Sequence, residues 1–295
     1  MDQLKFVIEP SEAETMAKTL GLSVFQLLRT LAKSAQKITH IPISNFPVGA
    51  AGLTSDGRIF LGVNLEFPGL PLHHSVHAEQ FLVANLSFHH PAHVKTVVIS
   101  AYPCGHCRQF LQEIRGAPEI QILVPQNEDQ ASDKTNNGNN PQSENDYFRP
   151  LSYFLPHRFG PDDLLHNDVP LLLESHDNFL VIADEMSAEE GNLCNGFFNF
   201  EQNKLVLAAL EAANKSHAPY SGCPSGVALM DVDGKVYKGS YMESAAYNPS
   251  LGPAQAAVVA YVVATGGGDG GFDKIVAAVL VEKEGAVVRQ GDTVR

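Results

Sequence analysis

The chain has 295 residues, 44% of them hydrophobic and 18% charged. That is enough apolar material for a packed core and more length than one ordinary domain uses. A formal charge of −13 opposes a polyanionic partner such as nucleic acid, whose binders need clustered Lys and Arg.

Four cysteines (Cys104, Cys107, Cys194 and Cys223) are too few for a disulfide framework. Met1-Asp2-Gln3-Leu4-Lys5 does not begin a secretory signal, and no apolar run approaches the ~20 residues needed to cross a bilayer. These features predict a cytoplasmic protein with neither nucleic acid nor membrane as partner.

Residues 1–22 read as a helical extension, with Ser11 as cap ahead of Glu12 and Glu14. Val24, Leu27, Leu28 and Leu31 form a helical stripe over 24–36. The runs 48–53 and 58–63 flank Thr54-Ser55-Asp56-Gly57, a hairpin signal. A helix over 77–86, a buried strand over 94–100, a helix over 104–115 opened by Pro103 and a short strand over 120–124 follow. Residues 126–146 are dominated by Asn, Gln, Asp, Ser and Gly and read as a linker or surface loop.

A repeat then emerges. Ser44 to Ala50 is echoed by Ser221 to Val227, 177 residues later; Asp56-Gly57, Gly62 and Glu66 meet Asp233-Gly234, Gly239 and Glu243 at the same offset. Thr96 to Ile99 resembles Ala277 to Leu280, with the offset now 181. The chain reads as two copies of one α/β unit.

Two fragments carry chemistry: His77-Ala78-Glu79 and Pro103-Cys104-Gly105-His106-Cys107. Together they match the H-x-E, P-C-x-x-C pattern of zinc deaminases. Zinc prefers N and S ligands in tetrahedral geometry, and His77, Cys104 and Cys107 supply three, leaving a position for water. Each fragment opens a predicted helix, where unpaired N–H groups and the macrodipole favour thiolate. Glu79, two residues from His77, can reach that water without binding the metal and so move protons. A closed structural zinc site needs a fourth ligand, for which His106, His73 and His74 are the candidates. A redox C-x-x-C would require neither His77 nor Glu79. His89, His90 and His93 read as solvated, and His157, His166, His176 and His217 as structural.

Ser44 to Gly49, Asn64-Leu65-Glu66-Phe67, Val76 to Gln80 and Tyr102 to Phe110 resemble the cytidine deaminase family. Phe159-Gly160-Pro161 and Ala246-Tyr247-Asn248-Pro249 resemble its large homodimeric branch. The resemblance implies a three-layer α/β/α fold, duplicated, with a catalytic and a degenerate copy. It implies one zinc per chain and hydrolysis of cytidine and 2′-deoxycytidine to the uridines plus ammonia, in pyrimidine salvage. By the same resemblance Asn64 and Glu66 bind the ribose 3′-hydroxyl, Phe46 packs on the pyrimidine, the Ala78 N–H meets the base O2, and the Tyr102 carbonyl meets the departing amine. Phe159 is implied to reach the partner subunit's site in a homodimer. Glu66 would repel a phosphate, which favours the free nucleoside.

The expected organisation is an N-terminal extension (1–22), a catalytic domain (23–126), a polar linker and crossing segment (127–183) and a degenerate domain (184–295) shortened at its C-terminus relative to the first copy. By the repeat offsets, Ala254-Gln255-Ala256 replace His77-Ala78-Glu79, and Gly285 and Val288 replace the two cysteines, so the second copy is predicted to be inactive. The alternatives are a zinc-binding pseudoenzyme that has lost activity and a polynucleotide cytosine deaminase.

Overall fold

The computed structural model describes residues 4–89, 93–124, 148–183, 200–267 and 271–291; the predicted linker over 126–146 lies outside them. The chain divides into two compact units, Met1–Pro161 and Asp162–Arg295.

The first unit holds β1 (Val7–Ile8), α1 (Pro10–Leu20), α2 (Val24–Ala35), β2 (Gly49–Thr54), β3 (Ile59–Val63), α3 (Ala78–Ser87), β4 (Val94–Ile99), α4 (Gly105–Phe110), β5 (Gln121–Leu123), β6 (Phe148–Pro150) and α5 (Leu151–Phe154). Its strands form one sheet in the order β1-β3-β2-β4-β5-β6, with only β4 and β5 parallel. A short α6 (Pro161–Leu164) lies at the division. The second unit adds α7 (Phe200–Asn214), β7 (Ser225–Asp231), β8 (Val236–Ser240), α8 (Pro253–Thr265) and β9 (Ile275–Glu282), its strands ordered β8-β7-β9.

Local sequence explains the helix ends. α1 starts two residues earlier than a Ser11 cap suggests: Glu9 is the cap and Pro10, with its fixed φ and missing N–H, takes the first helical position. In α2 the Ser23 hydroxyl accepts from the Gln26 N–H, and the Ser23 N–H donates to Gln26 Oε1. Leu27, Leu28, Leu31 and Ala32 are buried, whereas Val24 is exposed and leaves the predicted stripe.

Strand register shows where the layers lie. Ala50 pairs with Gly62 and Gly52 with Phe60, so these four residues share one face of the sheet. Gly52 and Gly62 touch Leu82 and Ala78 of α3, while Gly49, on the opposite face, touches Ala32 of α2. α2 and α3 therefore cover opposite faces. The second unit repeats the plan: Gly226 meets Ala209 and Ala213 of α7, and Gly239 meets Pro253 and Ala257 of α8. This is the expected three-layer α/β/α arrangement, built twice. At Gly49, Gly62, Gly226 and Gly239 a Cβ would collide with helix backbone, which is why glycine recurs there; at Gly52 it would press on the Leu82 side chain.

The duplication extends to irregularities. β2 and β4 slip register between Leu53 and Thr54, and β7 and β9 slip between Met230 and Asp231. Buried Asn85 of α3 donates to the Phe6 and Leu61 carbonyls, and Phe6 stacks on Phe81 at 5.1 Å, which ties the first strand to the helix behind it.

The two copies do not keep one offset throughout. Leu65 bridges to Val76 in the first unit and Met242 to Leu251 in the second, so the second connection is two residues shorter. α3 begins after His77 and α8 after Gly252. Gly62 lies against the Ala78 carbonyl and Leu82 N–H, and Gly239 against the Pro253 carbonyl and Ala257 N–H. The counterparts of His77-Ala78-Glu79 are thus Gly252-Pro253-Ala254, not Ala254-Gln255-Ala256.

Candidate active site

Two strand ends deliver the site residues. β3 runs into Asn64-Leu65-Glu66, and β4 leads through Ser100 to the loop that opens α4. Alternation buries Leu65 and turns Asn64 and Glu66 to the other side. Reciprocal N–H to carbonyl bonds of 2.8 and 2.9 Å between Leu65 and Val76 bring this segment beside His77.

His77 is the N-cap of α3, and its N–H donates to Gln80 Oε1 at 3.2 Å. Cys104 is the N-cap of α4, and its sulfur accepts from the Cys107 N–H at 3.5 Å. His77 Nδ1 lies 3.4 Å from Cys104 Sγ and 3.3 Å from Cys107 Sγ, and all three donor atoms fall within 4.8 Å of one another. Tetrahedral zinc with ordinary Zn–N and Zn–S bonds places N and S about 3.5 Å apart, so this donor set fits the ion. The His106 ring lies 5.1 Å from that of His77, centroid to centroid.

The thiols already share charge. The Cys107 thiol, and after it the His77 ring, hold the Cys104 thiol down at about 3 although burial opposes this. The bond to Cys104, followed by burial, pushes the Cys107 thiol well up. The trio therefore offers a cation at least one thiolate. Glu79, in the first turn of α3, is only 4% exposed; burial raises its carboxyl pKa, against the pull of its own N–H and of Cys107.

Glu66 is buried as well. Its Oε2 accepts from the Ile43 and Ser44 N–H groups, both at 2.9 Å. Burial alone would raise its carboxyl; the bonds from the Ser44 hydroxyl and amide and the Ile43 amide outweigh it and keep the pKa below 4.5. Asn64 Oδ1 accepts from Val48 N–H at 2.8 Å, and Nδ2 donates to the Phe46 carbonyl at 2.9 Å. The Phe46 ring, 61% exposed, is not the core residue that an isolated Phe would usually be. Tyr102 and Phe159 are also exposed, at 56% and 45%. Ala78 is buried at the first position of α3, where an N–H has no intrahelical acceptor.

Several contacts were not readable as sites. Arg108 Nε donates to the Pro103 carbonyl at 2.8 Å and its NH1 to the Phe154 carbonyl at 3.3 Å. Gln109 Nε2 donates to the Phe159 carbonyl at 2.5 Å. The Cys-bearing helix thus anchors the segment that carries Phe159. The Gln80 contact had a usable signal, a Gln three residues after a cap position; Arg108 and Gln109 had none. His89 is half-buried with its ring 5.7 Å from that of Phe60, not solvated as expected. His90 lies outside the described residues.

The second unit keeps the scaffold without the donors. Glu243 Oε2 accepts from the Tyr220 and Ser221 N–H groups, as Glu66 does from Ile43 and Ser44, and its Oε1 takes the Ser221 hydroxyl. Gly252 and Ala254 stand where His77 and Glu79 do. Gly285, at φ +65°, and Val288 offer no metal donor.

Residues 24–124 match the family model described as "Cytidine and deoxycytidylate deaminase zinc-binding region", and residues 151–295 match a second model of the same description. Cytidine deaminase 1 of Arabidopsis thaliana is 59% identical over 296 residues, covering 100% of this chain and 93% of that one. Cytidine deaminase 6 of the same plant is 47% identical, covering 99% and 92%. Cytidine deaminase of Serratia proteamaculans (strain 568) is 35% identical, covering 98% and 84%. With an imidazole and two thiols gathered beside a buried carboxyl, and matches along its whole length, the chain belongs to the cytidine deaminase family.

Proposed function

We propose that the chain hydrolyses the 4-amino group of cytidine and 2′-deoxycytidine, releasing ammonia and the corresponding uridine, as a step of pyrimidine salvage. The observation that carries this is the convergence of His77, Cys104 and Cys107 on one point with buried Glu79 alongside.

His77, Cys104 and Cys107 hold zinc, which supplies the Lewis acidity that makes water a nucleophile at neutral pH. Glu79 takes a proton from the attacking water and passes it to ring N3 while the water oxygen bonds to C4. It then carries the remaining hydroxyl proton to the amine, the C4–N bond breaks, and C4 is left as a carbonyl. Burial favours the neutral carboxyl that the donation to N3 requires.

The nucleoside is held by the residues that the family pattern assigns. Phe46 lies on the pyrimidine, the Ala78 N–H meets O2 and the Tyr102 carbonyl receives the departing amine. Asn64 and Glu66 take the ribose 3′-hydroxyl: each amide or carboxylate oxygen has two lone pairs, and an amide nitrogen two N–H, so the bonds already present do not exhaust them. An anionic Glu66 disfavours a phosphate there, which supports a free nucleoside.

The active species is a homodimer in which Phe159 completes the partner's pocket. Its exposed ring, on a segment held to α4 by Arg108 and Gln109, supports this. The second unit is the degenerate copy and serves folding and assembly.

The test is uridine release from cytidine alongside metal content and mass in solution, with Glu79→Ala as control. Zinc-loaded wild type that leaves cytidine untouched would make the chain a pseudoenzyme. Turnover of single-stranded DNA but not of cytidine would make it a polynucleotide deaminase. A monomeric active enzyme would remove the role given to Phe159.

A further inference from the structure

The loop from Ile41 to Val48 carries Phe46 and has little structure of its own. Asn45 sits at φ +54°, Pro47 has no N–H, and one turn bond, from the Asn45 N–H to the Ile41 carbonyl at 3.1 Å, lies within it. Side chains supply the rest, Gln36 Nε2 among them, which donates to the Pro47 carbonyl at 2.8 Å. Glu66 takes the Ile43 and Ser44 amides, and the Ser44 hydroxyl accepts from the Phe46 N–H at 3.1 Å. Asn64 closes the far side, reaching around Pro47 to the Phe46 carbonyl and the Val48 N–H.

The second copy of the loop separates these contributions. Glu243 holds Tyr220 and Ser221 as Glu66 holds Ile43 and Ser44, and the Ser221 hydroxyl accepts from the Cys223 N–H at 3.1 Å. The Asn64 position, however, is Tyr241, and the Phe46 position is Cys223, both buried. The glutamate clamp persists in a unit where, among the described residues, no group of metal donors is gathered. The asparagine is gone together with the aromatic whose carbonyl it binds.

We propose that Asn64 is a positioning residue for Phe46, pinning the backbone on both sides of Pro47 so that an exposed ring is held ready for the pyrimidine. This rests on the nucleoside reading above and adds to Asn64 a role separate from the sugar. Fixing the ring before binding removes an ordering cost that the substrate would otherwise meet.

The experiment compares kcat/KM for cytidine and for 2′,3′-dideoxycytidine in wild type, Asn64→Ala, Phe46→Ala and the double variant. Asn64→Ala is expected to lose roughly tenfold or more on both substrates, the size set by two neutral hydrogen bonds. In the Phe46→Ala background the Asn64→Ala loss on the dideoxy substrate should shrink to within about twofold, since coupled residues are not additive. A loss confined to cytidine would reduce Asn64 to a sugar ligand and overturn the proposal, as would a dideoxycytidine loss that persists undiminished without Phe46. If Asn64→Ala does not fold, Asn64→Asp keeps the acceptor for Val48, removes the donor to Phe46 and serves the same comparison.

A readout independent of turnover exists because the chain has no Trp. Phe46→Trp creates the chain's one tryptophan at the loop tip, excited at the red edge where the eight tyrosines do not absorb. Adding Asn64→Ala or Asn64→Asp should lower its anisotropy and raise its quenching by iodide; an unchanged signal would overturn the proposal. Failure of wild type on cytidine with an intact reporter response would instead count against the nucleoside reading alone.

Discussion

Gly62 lies where β3 passes under the start of α3, and an alanine there tests the whole arrangement. Its Cβ would stand 2.1 Å from the Ala78 carbonyl oxygen and 2.8 Å from the Leu82 nitrogen. Both are helix backbone, so no side chain can swing aside. To reach ordinary contact the helix must retreat by about 1 Å. Such overpacking costs about 3 kcal/mol, which lowers the melting midpoint of a unit this size by roughly 6–12 °C. The retreat also moves His77 and Glu79, one residue either side of Ala78, away from the cysteines, and a misplacement of about 1 Å costs on the order of 100-fold in rate. The second unit supplies the control. Gly239→Ala meets the Ala257 nitrogen at 2.1 Å and the Pro253 oxygen at 2.2 Å, the same collision beneath a helix with no metal donor in its first turn. Thermal melting, zinc content and kcat are measured for both variants below their midpoints. Both should melt early, and only Gly62→Ala should lose kcat and zinc. Equal loss of kcat in the two, or no change in Gly62→Ala, would refute the geometry assigned to α3.

Glu79→Ala should keep zinc, because the carboxyl is outside the donor trio, and lose at least about 100-fold in kcat, the lower end of general acid–base contributions; metal analysis beside turnover checks this. Cys104→Ala and His77→Ala should each fall from one zinc per chain to substoichiometric metal, measured after dialysis against a weak chelator. Glu66→Gln should flatten the acid limb of the stability curve. A carboxyl held below 4.5 in the folded state contributes stability that is fully present above that value and fades as pH falls through the folded pKa. Midpoints followed from neutral pH down past 4.5 should therefore converge with wild type at the acid end.

How far the sequence could be read depended on whether a residue's job was local. The hairpin around Asp56-Gly57, the strand ending at Ile99 and the donor trio all rest on short motifs whose chemistry is visible in the letters. The copies were legible through Gly49, Gly62 and Glu66 because each meets backbone that only a glycine or an acceptor can serve. The misplacement of the second helix start arose in the connection after Met242, where two residues are missing and no repeated letter marks the loss. The predicted helix over 104–115 proved to be α4 followed by a 3-10 turn at Leu111–Glu113, an end that no cap residue signals. Contacts by Arg108 and Gln109 go to main-chain carbonyls far along the chain, and a carbonyl has no sequence identity to recognise. The exposure of Phe46 was legible only through the family resemblance, because a lone aromatic reads as core unless the loop that holds it out is known.

The tie between Phe6 and the interior of α3 bears on how the protein can be handled. Phe6 covers one face of Phe81 and lends its carbonyl to Asn85, an amide with no access to water. Trimming the chain back past Ile8 would bare an aromatic and strand a buried donor on the same helix whose opening turn holds His77 and Glu79. Shortened or proteolysed preparations would then fail at the metal through a change made one and two turns along that helix, at Phe81 and Asn85, and a fusion partner is better joined elsewhere.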